Sequence, residues 1–347
     1  MPTIYITEPE ALLTMQRQKF QVFYQQKQCI SIPIRQVSQI IIFGNIELPK
    51  DMIKVVYSHQ IPVLYLTQFG EIIGRIENTS QRQYKYLSSQ RQYARNLELK
   101  RATAESMIWA KLHNQHTFLQ SWSRNYANYP TQRALNYLTL LMDNLPIANS
   151  LNDLREYSQE ADNIYYTAVA AVLSFYNSSS HINQKQIRGF LNLGYQLLHQ
   201  YIYTLLDTAG LHPDYAILHR EAHHELPLAW DFTVEFSAPI VDDLMFNFVR
   251  NLTHTNGNGN GNGKSRSQTI LQSFLQYWEA KLRTFVLHPY TGEVSFRQCM
   301  DLQVKEYVAC LLGDVEYYRP LALKFHPAHP NHTNIPELQT TPLTLVK

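Results

Sequence analysis

Apolar residues in the first quarter of the chain come in short runs, rich in β-branched and aromatic side chains and separated by polar or turn-forming residues. The runs at Phe20–Tyr24, Ser31–Ile34, Gln39–Leu48, Ile61–Thr67 and Gly70–Ile76 predict strands. Between Pro49 and Ser58 the spacing of Met52, Val55 and Val56 is helical and predicts a helix bridging two of those strands. From Gln81 the period changes. The stretch to Trp122 has no Gly or Pro, and its apolar positions recur every three or four residues, which predicts one long helix or two. Further helical runs follow at 130–145, 150–176, 182–210 (ending on Gly210 as a C-cap), from Leu228 onward, at 269–286 and at 295–314. The fold class is therefore α+β: a small β-rich N-terminal domain over residues 1–80, then a mostly α-helical domain over 81–320. The Asn-Gly repeat within 253–268 cannot bury apolar surface and predicts a flexible loop. The Pro-containing stretch 321–347 predicts an extended or disordered tail.

Composition adds little until it is divided along the chain. Hydrophobic residues at 45% and charged residues at 17% fit a globular protein. No apolar run is long enough for a membrane span, and the N-terminus has no basic start followed by an apolar core, so a cytoplasmic location is expected. Cys29, Cys299 and Cys310 have no CxxC spacing and are expected to be core thiols. The net charge of +2 hides an asymmetry. Residues 81–125 carry eight Lys or Arg against two acids, whereas 151–243 carries four against twelve. A polyanion on one surface and a cation held at another would need that arrangement. Arg82, Lys85, Arg91 and Arg95, interleaved with tyrosines, are candidate phosphate contacts together with Arg188; a solvated helix face explains the same charges.

Within the acidic region, Leu211–Asp243 crowds ligand-type side chains between apolar turns. Glu160, His219 and either Asp231 or Glu235 would supply, from three separate elements, the oxygen and imidazole donors that Mg²⁺ or Mn²⁺ takes. A helix-surface carboxylate is the bland reading of Glu160. Asp231, between Trp230 and Phe232, is expected to be buried and to need a partner. His199, His212, His223 and His224 are expected to be solvated.

The order of Glu160 in QEADNIYYTA, then FLNLGYQLL, LHPDYAILH and LPLAWDFTVEFSAPIVD resembles the universal adaptation nuclease of CRISPR systems, the integrase that inserts spacers into the repeat array. IPIRQVSQIIIFGNIELP and IPVLYLTQFGEIIGRI are similar to that family's β domain, and HPYTGEVSFRQCMDLQVKEYVACLLGDVEYYRP to its C-terminal end. The resemblance implies a β domain for dimerisation and partner contacts, and a homodimer that pairs with a small ferredoxin-like CRISPR-associated protein. It also implies a metal-dependent DNA endonuclease and integrase acting on double-stranded DNA by transesterification. Glu160 matches the family's first ligand, His219 its second, and Asp231 the Asp of its LDLMEEF motif. The family's acid three residues beyond that Asp is replaced by Val234, with Glu235 one place further. Either Asp231 or Glu235 fills that role, or the chain is an impaired DNA-binding scaffold subunit.

Overall fold

The computed structural model describes residues 3–77, 84–123, 128–177, 182–219, 225–254 and 263–323. The β-rich region runs β1 (Thr3–Ile6), β2 (Leu12–Gln16), β3 (Lys19–Tyr24), β4 (Lys27–Pro33), β5 (Gln39–Phe43), helix α1 (Lys50–Ser58), β6 (Val63–Leu66) and β7 (Ile72–Ile76). β1, β5 and β6 are parallel neighbours and β7 closes the four-stranded sheet antiparallel, with α1 as the crossover between β5 and β6. β2–β4 form a separate antiparallel meander. Its two turns, Arg17-Gln18 and Gln25-Gln26, hold all four residues at positive φ. Such two-residue turns match the twist of the strands they join.

Alternation along the central strands assigns their two faces. Ile4, Ile6, Ile40, Ile42 and Val63 pack with Phe20, Val22, Ile30 and Ile32 of the meander and with Met52 and Val56 of α1. Tyr5, Ile41, Phe43, Leu64 and Leu66 join the core of the helical region instead. The sheet is thus covered on both sides, which explains the unbroken apolar run at Ile40–Phe43.

The helices are α2 (Leu87–Arg95), α3 (Leu97–Ser123), α4 (Tyr129–Asn144), α5 (Leu151–Asn177), α6 (Gln184–Ala209), α7 (Pro227–Phe236), α8 (Asp243–His254), α9 (Gly263–Arg283) and α10 (Phe296–Leu312). A hairpin of β8 (Phe285–His288) and β9 (Gly292–Ser295) separates the last two, where a continuous helix is predicted through Val286. The β region is bolted to this bundle. Tyr5 Oη donates to Glu279 Oε1 at 2.8 Å and accepts from Trp278 Nε1 at 3.2 Å, and Arg297 pairs with Glu279. At the other end, the Phe69-Gly70 turn lies directly on α6. A Cβ on Gly70, whose φ is +82°, would stand 2.5 Å from Leu193 Cα, and a Cβ on Gly189 would stand 2.3 Å from the Phe69 ring.

Between α7 and α8 the helix widens into a π-helical segment, Ser237–Asp242. Pro239 has no N–H to give the Glu235 carbonyl one turn earlier, and Asn114 Nδ2 supplies that bond at 2.9 Å. The same Asn114 donates to Leu321 O at 2.8 Å and accepts from Leu323 N at 2.8 Å. Residues 318–323 therefore form a strap across α3 and α7. Leu321 is fully buried, which corrects the expectation of a loose tail from residue 321; residues 324–347 lie outside the described set. Most of the Asn-Gly stretch, with His223 and His224, also lies outside it. Cys299 and Cys310 are core thiols, but Cys29 is exposed on β4. His199 is buried rather than solvated, with its ring stacked on Trp230. Among the described residues no helix is long and apolar enough to cross a membrane.

Candidate active site

Among the described residues Asp231 is the carboxylate that accepts the most hydrogen bonds. It sits on the buried side of α7, and the 217–219 segment folds over it. The backbone N–H groups of Ile217, Leu218 and His219 all donate to it, the last two at 3.2 and 2.8 Å. His219 Nδ1 lies 2.7 Å from Asp231 Oδ1. An ionised carboxylate only accepts, so this contact requires the proton on Nδ1 and fixes the lone pair of the neutral ring on Nε2. Four donors also explain how a fully buried charge is tolerated. Asp231 thus orients His219.

Glu160 lies on the exposed side of α5 and accepts a hydrogen bond from Tyr137 of α4. That contact pushes the Tyr137 phenol above its ordinary value. Arg155, five residues earlier on α5, donates through Nε to Leu218 O at 2.6 Å. It therefore ties α5 to the segment carrying His219. Behind α5, Lys111 is buried and bonds Ser158 Oγ at 2.8 Å and Asp162 Oδ2 at 2.6 Å, two residues to either side of Glu160. Sequence reasoning counts Lys111 with the surface cations; the structure makes it an internal prop that sets the rotation of α5.

Glu235 points elsewhere. It is fully buried, accepts from Tyr318 Oη at 2.6 Å and Leu321 N at 3.0 Å, and lies 3.3 Å from Gln303 Nε2. Burial outweighs these bonds and raises its carboxyl from 4.5 to about 7. Val234 occupies the half-buried position about 100° around α7 from it. The structure therefore brings His219 and Asp231 together, while Glu160 lies on the exposed side of α5, the helix that Arg155 ties to the Leu218 backbone. Glu235 is engaged with the C-terminal strap. Among the described residues no three His, Cys, Asp or Glu side chains are grouped to hold a metal. Both candidates for the third place already accept internal hydrogen bonds, Asp231 from the 217–219 segment and Glu235 from Tyr318 and Leu321.

The cationic surface lies beside the same segment. Gln90 of α2 exchanges two hydrogen bonds with the His212 backbone at 3.0 and 2.8 Å, and Arg91 Nε donates to Tyr215 Oη at 3.0 Å. Lys85 is exposed just before α2, Arg91 and Arg95 are exposed on it, and Arg188 is exposed on α6; Arg82 is outside the described residues. Tyr137 and Asn114 escape sequence reasoning. Tyr137 is one of many tyrosines at helical spacing, and Asn114 acquires its role only through Pro239 and the strap.

The chain is α+β, with a β region packed on a helical bundle that carries the His219–Asp231 pair and, on α5, Glu160. Residues 4–280 match the family model described as CRISPR associated protein Cas1, and the chain belongs to that family. It is 22% identical over 320 residues to the CRISPR-associated endonuclease Cas1 1 of Thermus thermophilus, covering 91% of this chain and 98% of that protein. Its fold is similar to a casposase bound to integration product (TM-score 0.74, 17% identity, 95% of this chain and 96% of that one). It is also similar to a chain of a Cas6-RT-Cas1–Cas2 complex (TM-score 0.70, 15% identity, 92% of this chain and 36% of that one).

Proposed function

We propose that this protein is a DNA endonuclease and integrase of CRISPR adaptation, joining spacer DNA to the repeat array by transesterification at phosphorus. The family match over residues 4–280 carries this reading. Glu160 and His219 are the residues that would hold a Mg²⁺ or Mn²⁺ ion. Hard cations of this kind often keep few protein ligands and complete their coordination with water and substrate phosphates, so two ligands suffice for that donor chemistry. When bound, the cation supplies Lewis acidity at a phosphodiester oxygen. Asp231 holds the His219 ring with its lone pair on Nε2, Arg155 fixes the 218 backbone, and Lys111 fixes the face that α5 presents. The exposed cations of α2 and Arg188 are the phosphate-contacting candidates. A homodimer and a small ferredoxin-like partner complete the assembly, and exposed Leu12, Met15, Ile72 and Ile73 give the β region apolar surface for such contacts.

The test is divalent-metal-dependent joining of a short duplex to a repeat. Asp231→Asn is expected to cost roughly 10- to 100-fold, the effect of disturbing a ligand's outer partner. Glu160→Ala and His219→Ala should cost more, and unchanged joining in both would remove the site assignment. The engaged state of Asp231 and Glu235 favours a second reading, a DNA-binding scaffold with impaired catalysis. Wild-type protein that binds duplexes but joins none at any metal concentration would select it.

A further inference from the structure

We propose that Asp242 is a proton-operated latch: gain or loss of one proton reverses a chain of hydroxyl groups leading to solvent and sets how firmly the π-helical segment is held to α5 and α6. This latch is independent of the DNA-processing reading. Asp242 ends the Ser237–Asp242 segment and is fully buried, yet among the described residues it forms no ion pair with Lys, Arg or His. Tyrosines alone hold its oxygens: Tyr165 Oη of α5 donates to Oδ2 at 2.6 Å, and Tyr195 Oη of α6 donates to Oδ1. The charges around it are Asp162 of α5 and Asp243 of α8, both of which oppose a further negative charge. Their cations are already engaged, Lys111 of α3 with Asp162 and Lys281 of α9 with Asp243. Burial, only partly offset by the two tyrosine donors, lifts the Asp242 carboxyl from 3.8 to about 7.

The two hydroxyls are not equivalent. Asp242 is the one hydrogen-bond partner of the Tyr165 hydroxyl among the described residues. Tyr195 Oη also lies 3.2 Å from Tyr166 Oη, and Tyr166 is 36% exposed. A hydroxyl carries a single proton, so Tyr195 gives it either to Asp242 or to Tyr166. With Asp242 ionised, Tyr165 and Tyr195 both donate to it. A proton arriving on Oδ2 would leave the Tyr165 O–H without an acceptor, whereas one arriving on Oδ1 turns Tyr195 around to donate to Tyr166. The chain then runs from Asp242 through Tyr195 and Tyr166 to water. Tyr165 and Tyr166 lie about one and a half turns beyond Glu160, so the latch acts on the helix that carries that residue. Its carboxyl is raised in the folded state, so its hold is complete below the ordinary aspartate value and is lost as pH rises through about 7. Ionised, the group is a buried charge beside two other carboxylates, and opening the segment to water relieves it.

The experiment records infrared spectra of the full chain from about pH 5 to about pH 9, a range that brackets neutral titration. Aspartate carries a carbon-13 label at its side-chain carboxyl, which separates its acid C=O band from that of Glu235. Wild type is expected to show an aspartic-acid band that fades around neutral pH and is missing from Asp242→Asn. Tyr195→Phe removes a donor to the ionised form and should move the midpoint up by about one pH unit, the worth of a hydrogen bond to a charged group. Tyr166→Phe removes the acceptor that Tyr195 needs when Asp242 is protonated and should move the midpoint down by about as much. Amide hydrogen exchange reads the latch itself. Corrected for intrinsic rates, protection of residues 237–243 should fall at least about tenfold between about pH 5 and about pH 7 in wild type, and less in Asp242→Asn. Absence of the aspartic-acid band at the acid end overturns the proposal. So do midpoints that move in the same direction, or not at all, in the two tyrosine variants, and so does an equal loss of protection in wild type and Asp242→Asn. Should Asp242→Asn fail to fold, the opposite shifts of the two tyrosine variants decide it alone.

Discussion

Glu235→Gln tests how the buried carboxyl of α7 is used. The burial that lifts this group from 4.5 to about 7 means that the folded protein holds a proton the unfolded chain has released over that interval. A group raised in the folded state contributes stability that is complete below its unfolded value and is lost as pH rises through its folded one. The interval converts to about 3 kcal/mol, so wild type should be less stable at pH 8 than at pH 4.5 by about that amount from Glu235 alone. Asp242 acts in the same direction, since burial among Tyr165 and Tyr195 lifts it from 3.8 to about 7. Glutamine keeps the shape and cannot ionise. Urea unfolding followed by tryptophan fluorescence at the two pH values should show a drop smaller by about 3 kcal/mol in Glu235→Gln than in wild type. Because Glu235 is engaged with Tyr318 and Leu321, the variant should also retain any rise in Tm on adding Mn²⁺, whereas Glu160→Ala and His219→Ala should lose it. A wild-type pH dependence in the variant, or loss of the metal effect as complete as in Glu160→Ala, would refute the reasoning.

Other perturbations follow from the same contacts. Asp231→Asn turns an acceptor of three backbone N–H groups into a partial donor and should destabilise the fold by about 2–3 kcal/mol in urea titration. Asn114→Leu leaves Glu235 O, Leu321 O and Leu323 N without their side-chain partner. It should cost about 2–4 kcal/mol and expose residues 318–323 to limited proteolysis. Gly189→Val drives a side chain into Phe69 and should lower stability by about 1–3 kcal/mol by overpacking, which Phe69→Ala in the same chain should partly restore.

Much of the fold was legible because the period of the apolar pattern changes from two to nearly four close to residue 80. β2 and the two meander turns were hard to see, since Arg17-Gln18 and Gln25-Gln26 adopt positive φ without the Asn or Gly that advertises it. Phe285 and Val286, the first two residues of β8, continue the apolar run of α9 and so read as helix, which hides the start of the β8–β9 hairpin. The site was legible at Glu160, His219 and Asp231 through residue type and order, and Asp231 was expected to need a partner. That its partners are the backbone and imidazole of the 217–219 segment, and that Glu235 binds the strap, depends on chain separations of 12 to 86 residues that no local pattern records.

The strap also sets the order in which the molecule can be completed. Glu235 and Asn114 lie far upstream of Leu321 and Leu323, yet part of their buried hydrogen bonding comes from those residues. Until residues 318–323 are in place, the Glu235 carboxyl lacks Tyr318 and Leu321, and the Asn114 amide lacks Leu321 and Leu323. The strap is what closes this part of the core, so a polypeptide interrupted after α10 would carry α2 to α10 with these hydrogen bonds unmade.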